Sequence, residues 1–122
     1  MILKKKRSSL QPETTKVVRP LMLLMRARGW YVKKIHGSQY QSGLPDLFAA
    51  HPKYGSRWIE CKWGNNFLSA AQIKEFAAMD KAGVGIWVLR SPDEYDILLK
   101  PANWRKSGTR ALFKRNQPIK GF

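Results

Sequence analysis

The chain has 122 residues, 43% hydrophobic and 25% charged, the length of one compact domain and the balance of a globular protein rather than of a disordered tail, and a second domain is not expected. Its 23 Lys and Arg against 8 Asp and Glu leave a net charge of +15, so the expected partner is a polyanion, nucleic acid before an anionic membrane surface. The longest apolar run, Leu21 to Met25, is far too short to span a bilayer, and the lone Cys61 can neither close an internal disulfide nor build a zinc site.

Residues 1–11, with Lys4, Lys5, Lys6 and Arg7 and no apolar period, predict a flexible basic arm; no apolar stretch of signal-peptide length follows it. From Pro12 to Arg28, Val17, Val18, Leu21, Leu24 and Met25 recur at helical spacing and Gly29 stands at the cap, so a first helix is expected, kinked or begun late at Pro20. Trp30 to Ile35 is aromatic and β-branched and carries Lys33 and Lys34, as a strand with one wet face does. A polar loop from His36 to Gly43 leads to a second strand, Leu44 to Ala50. A tight turn at Pro52 to Ser56 joins it to a third, Arg57 to Trp63.

Ser69-Ala70-Ala71-Gln72 has the form of a capping box, and Ile73, Phe76, Ala77 and Met79 continue it as a helix to about Lys81, stopped by Gly83. Val84 to Leu89 is almost wholly apolar and predicts a strand buried on both faces at the centre of the sheet. Tyr95 to Leu99 is a candidate further strand, and 101–122 reads as a basic tail. The sum is an α/β domain over residues 12–100, a mixed central sheet flanked by helices in the order α-β-β-β-α-β.

The acids are few enough for their positions to matter. Asp46 opens the second strand and Glu60 lies in the third, so the hairpin brings the two carboxylates together. Lys62, two residues past Glu60, shares its face, while Cys61 points the other way. Two carboxylates held close repel each other unless a proton or a cation intervenes, and a hard divalent cation prefers oxygen ligands of this kind. Such an ion can polarise a phosphodiester and acidify a bound water, with Lys62 orienting that water or stabilising charge on the phosphorus centre. The structural alternative is a turn cap at Asp46 and a same-face ion pair of Glu60 with Lys62. A Glu-x-Lys triplet alone does not decide between the two.

Gly43-Leu44-Pro45-Asp46-Leu47, then Trp58-Ile59-Glu60-Cys61-Lys62 after a short turn, then Ser69-x-x-Gln72 opening a helix, resembles the PD-(D/E)XK nuclease superfamily. Within it the sequence is most similar to the virus-type replication-repair nuclease (VRR-NUC) domain in its compact stand-alone form, over about residues 12 to 90. The resemblance implies a restriction-endonuclease-like core. It implies Mg²⁺ or Mn²⁺ bound by Asp46, Glu60 and the backbone carbonyl of Cys61, with Lys62 as the catalytic lysine. It also implies a glutamate on the first helix, for which Glu13 is the available acid by position. The glutamine that the family holds near the scissile phosphate is matched by Gln72, alongside its capping role.

Lys33, Lys34, Lys53, Arg57, Arg105, Lys106 and Arg110 are the expected phosphate contacts, and Tyr40 in the polar loop is a candidate base-stacking residue. His36 and His51 read as solvated loop histidines. The resulting expectation is a Mg²⁺-dependent endonuclease for four-way junctions or other branched DNA. It is expected to work as a homodimer, because a junction needs two symmetric cuts and one chain carries one site. Met22 and Leu23 extend the apolar stripe of the first helix toward such a partner. Two alternatives stand beside this reading: a nickase or restriction-like nuclease on duplex DNA, and a non-catalytic basic DNA-binding module. An intracellular setting, in the cytoplasm or on DNA, is expected, and a viral protein acting in a host cell fits the same description.

Overall fold

In the computed structural model, which describes residues 11–35 and 43–108, the helical spacing of Val17, Val18, Leu21 and Met25 becomes one buried stripe. A π-helical turn, Glu13–Val18, runs into helix α1, Arg19–Ala27. The Arg19 N–H reaches back to the Thr14 carbonyl, a wide step that leaves Pro20 in the first turn of α1, where its missing N–H costs nothing. The change of helix type thus falls between Val18 and Arg19, just before Pro20, and the helical path extends back to Glu13. Gly29, at φ +92°, then turns the chain toward the sheet.

Strands β1 (Tyr31–Lys34), β2 (Leu47–His51) and β3 (Gly55–Cys61) form an antiparallel meander, and β4 (Ile86–Leu89) adds parallel to β3, in the spatial order β1-β2-β3-β4. Between β3 and β4 runs helix α2, Ala70–Lys81. A 3-10 helix, Pro92–Leu99, and a short helix α3, Trp104–Ser107, follow β4. The pleat sends alternate residues to two cores. Leu47, Ala49, Ile59, Cys61 and Leu89 pack under the first helix, while Ile86 and Val88 pack with Leu68, Phe76 and Trp104 on the other side.

β4 lies at an edge of the sheet, not at its centre. All four of its residues are nonetheless buried, Trp87 and Leu89 in one core and Ile86 and Val88 in the other, and at Val88 the Asn103 side chain takes the place of a neighbouring strand. Its Oδ1 accepts from the Val88 N–H at 2.7 Å and its Nδ2 donates to the Val88 carbonyl at 3.0 Å. Tyr95 to Leu99 is helical, not a strand. Ser91 caps the Asp93 N–H, Pro92 presets the first turn, and Tyr95 and Leu98, three apart, are buried on one side. Residues 101–108, expected as the start of a tail, pack on the domain through Trp104, which is 2% exposed. The remaining 109–122 and the arm through residue 10 lie outside the described residues. No helix among the described residues is long and apolar enough to cross a membrane.

Candidate active site

The segment leading into β2 passes hard against the start of α2. Gly43 sits at φ +93°, and a Cβ there would stand 2.8 Å from the Ala71 carbonyl oxygen, so only glycine permits the approach. Three residues later comes Asp46. Leu47 pairs with Ile59, and that register carried one residue further sets Asp46 opposite Glu60. Asp46 Oδ2 accepts from the Cys61 N–H at 2.8 Å, which fixes the carboxylate across the strand end. Since the N–H and C=O of a strand residue point to the same side, the Cys61 carbonyl also leaves toward Asp46. Its thiol is buried in the opposite core, where desolvation pushes its pKa well up.

Glu60 is 1% exposed. Gln72 Nε2 donates to its Oε2 at 2.8 Å, and Lys62 Nζ stands 3.5 Å from the same oxygen. Gln72 Oε1 in turn accepts from Lys62 Nζ at 2.9 Å and from the Ser69 N–H at 3.0 Å, while Ser69 Oγ accepts from the Gln72 N–H at 3.1 Å. The capping box and the contact with the acidic pair are therefore the same glutamine held in one pose. The second oxygen, Glu60 Oε1, is buried and accepts from no N–H or O–H donor, while Asp46 and Glu60 lie close enough to share a proton when one of them is protonated.

The electrostatics follow from this crowding. Burial first, and the neighbouring Asp46 second, push the Glu60 carboxyl up to about 8. Burial also raises Asp46, against the opposing pull of the Cys61 N–H and of Lys62 and Lys34. Glu13 is raised too, by burial and then by Asp46, with Lys62, the Trp63 backbone and Lys34 acting the other way. The first helix thus brings Glu13 within electrostatic reach of the pair.

Among the described residues no three His, Cys, Asp or Glu side chains converge as a ready-made metal group. The set here is of a different kind: two carboxylates, one with an unpartnered oxygen, beside a backbone carbonyl. Such oxygen donors suit Mg²⁺, which commonly takes one or two protein carboxylates and fills its remaining positions with water and substrate oxygens.

The expected phosphate contacts divide. Lys33 and Lys34 are exposed on β1, and Lys34 acts on Asp46 and Glu13 from there. Lys106 is exposed on α3, and Lys53 lies in the β2–β3 turn, at the opposite end of the sheet from Asp46. Arg57 is engaged within the fold: Nε donates to the Leu98 carbonyl at 2.8 Å, NH1 donates to the Ser56 carbonyl, and the guanidinium covers the Trp87 ring. Arg105 is paired with Asp80 at 2.7 Å. Tyr40 and Arg110 lie outside the described residues. Arg90 went unmarked in the sequence, yet it ties the loop after Lys62 by donating to the Gly64, Asn66 and Ser107 carbonyls. No local signal marks it, since those partners lie 17 to 26 residues away.

No family model matches the sequence, and no curated protein matches it significantly. The solved structures similar to it include the following two. A VRR_NUC domain superposes with a TM-score of 0.56 at 26% identity, covering 65% of this chain and 85% of that one. A Holliday junction resolvase, Hjc, from Archaeoglobus fulgidus gives a TM-score of 0.48 at 19% identity, covering 60% of this chain and 64% of that one. The mixed four-stranded sheet flanked by helices is the restriction-endonuclease-like fold of the VRR_NUC domain, as the motifs around Asp46 and Glu60 led us to expect.

Proposed function

We propose that this chain is a divalent-metal-dependent endonuclease that hydrolyses phosphodiester bonds in branched DNA, with the four-way junction as its foremost substrate. The observation that carries the reading is the unpartnered Glu60 Oε1, buried beside a second carboxylate. In the metal-free fold a retained proton relieves the crowding of the two carboxyls, and a cation arriving with substrate would take its place. Asp46, Glu60 and the Cys61 carbonyl would hold Mg²⁺ or Mn²⁺, with Glu13 as a further oxygen donor. When bound, the ion would supply a positive centre for a phosphate oxygen and lower the pKa of a water.

The chain's own groups account for the rest. Lys62 is the catalytic lysine: its Nζ, tied to Gln72, is aimed by the capping box, so it can donate to the attacking water or to charge developing on phosphorus without first reorganising. Gln72 acts through Lys62 and Glu60 and is a positioning residue. Lys33, Lys34 and the net charge of +15 draw the DNA backbone toward this sheet end. The similarity in fold to a VRR_NUC domain supports the nuclease reading. Branched DNA as substrate and a two-fold dimer go further. For the dimer, Leu23, 68% exposed on α1, offers an apolar contact, and two copies would supply the two cuts that a junction needs.

The test is cleavage of labelled linear duplex and four-way junction with Mg²⁺, with Mn²⁺ and with chelator. Wild type should cut only with metal and should prefer the junction. Asp46→Asn and Lys62→Ala should each lower the rate on the order of a hundred- to a thousandfold while still binding DNA. Parental rates in either variant would overturn the assigned site, and equal cutting of both substrates would favour a nickase or restriction-like enzyme on duplex.

A further inference from the structure

Beside the acidic pair lies a cavity of about 210 Å³, lined by Gln11, Pro12, Glu13, Trp63 and Asn66. We infer that it receives one unstacked nucleobase of the DNA strand being cut; the inference rests on the nuclease reading and names the feature of branched DNA that the site selects.

The first argument is position. Trp63 directly follows Lys62, and Glu13, whose carboxyl is hydrogen-bonded by the Trp63 backbone, also interacts with Asp46 and Lys62. A base in this cavity therefore belongs to a nucleotide at or next to the phosphate presented to Lys62. The second is the indole itself. Trp30, Trp87 and Trp104 are buried in the two cores, yet Trp63 is left 41% exposed. It is also held still: the Arg90 guanidinium donates to the Gly64 and Asn66 carbonyls at 3.1 and 2.6 Å, and the Asn66 N–H closes the turn onto the Trp63 carbonyl at 3.2 Å. An exposed aromatic on a braced loop is a stacking platform whose ordering has already been met in folding.

The lining also indicates which part of DNA enters. Among the described residues no lysine or arginine lines the cavity, so the described lining offers no cation to hold a phosphate. The indole and proline offer flat apolar contact, and the Asn66 side chain is of the amide type that pairs with base edges. Drug-sized ligands need roughly 300–1,000 Å³, so this smaller cavity suits one planar ring system. In intact duplex a base must be unpaired and unstacked before it can enter, and that cost is least where the base is already unpaired. Branch points and flaps supply such bases.

The experiment uses the full chain and two DNAs carrying 2-aminopurine, one with the probe unpaired at a branch, the other with it paired in linear duplex. Binding is read by probe fluorescence with Ca²⁺ in place of Mg²⁺, and cleavage is read separately with Mg²⁺. Wild type should change the emission of the unpaired probe and bind that DNA about tenfold more tightly than the paired one. Trp63→Ala should lose that preference while keeping its affinity for paired duplex, and Trp63→Phe should retain most of it. A Trp63→Ala protein that keeps the preference overturns the inference. So does one that loses affinity for both DNAs alike, melts early, or changes molecular mass in solution, since the indole would then serve the loop or a protein contact. Failure of the nuclease reading is separate: wild type would cut neither DNA with Mg²⁺, while the fluorescence arm would still decide the fate of the cavity.

Discussion

Two acid–base pairs in this domain are built in opposite ways. Asp80 and Arg105 meet at 2.7 Å on the surface, with side chains 37% and 31% exposed, and Asp80 Oδ2 also accepts from Arg105 Nε at 2.8 Å and Trp104 Nε1 at 3.3 Å. Glu60 and Lys62 stand 3.5 Å apart with side chains 2% and 12% exposed, next to a second carboxylate and with one oxygen unpartnered. Selection for stability alone would reverse the two, giving the close, well-bonded geometry to the pair that water cannot reach. On the proposed reading, the loose, buried and over-acidic pair is where folding energy has been given up for chemistry.

Replacing the buried acid should sharpen that contrast most. Glu60→Gln should abolish cleavage yet stabilise the metal-free protein by about 2 kcal/mol or more at pH 8 and above. The sign follows from its pKa, raised from 4.5 to about 8 by burial and by Asp46. Between those values the folded chain retains a proton that the unfolded chain releases, so stability falls as pH rises through the window and levels off above it. Urea melts of wild type and variant at pH 5, 7 and 9 should diverge with pH, although Asp46, raised by the same burial, keeps a smaller slope in both. Parallel profiles would remove the basis of the contrast.

A second expectation concerns the same proton. A cation binding Glu60 must displace it, so apparent Mg²⁺ affinity should rise by about tenfold per pH unit up to about pH 8 and flatten beyond. Calorimetric titration in buffers of different ionisation enthalpy would count the released proton, and a pH-independent affinity with no proton release would exclude Glu60 as a ligand. The smallest effect belongs to the surface pair. Arg105→Ala should cost no more than about 1 kcal/mol, less in high salt, and leave cleavage unchanged. A loss of cleavage there would mean that Arg105 contacts DNA despite its bonds to Asp80.

The buried pair was legible in the sequence because a hairpin has a short period and a fixed register. Once Asp46 and Glu60 are assigned to adjacent strands, few pairings bring both to one side, and Lys62 follows by parity. Ser69 and Gln72 were legible for a similar reason, since a capping box is a local contact. The surface pair was not: Arg105 and Arg57 count toward a basic surface in any composition, and only tertiary contacts with Asp80 and with the Leu98 carbonyl reveal them as braces. Val84 to Leu89 declared its burial but not its place, because Asn103 covers an edge as effectively as another strand would. In Tyr95 to Leu99, Tyr95 and Leu98 stand three apart, and over five residues that spacing is too short a sample to separate a strand from a tight helix.

Asn103 also limits how these molecules can join one another. With its amide saturating both backbone groups of Val88, β4 offers no rung there for a strand from another copy, which leaves β1 as the sheet's other edge. Even there the Val32 carbonyl is already engaged by Arg26 NH2 at 3.2 Å. A sheet with two open edges can add neighbours without end, whereas one open edge permits a single pairing and then stops. One asparagine thus closes that rung of β4 to strand-by-strand addition.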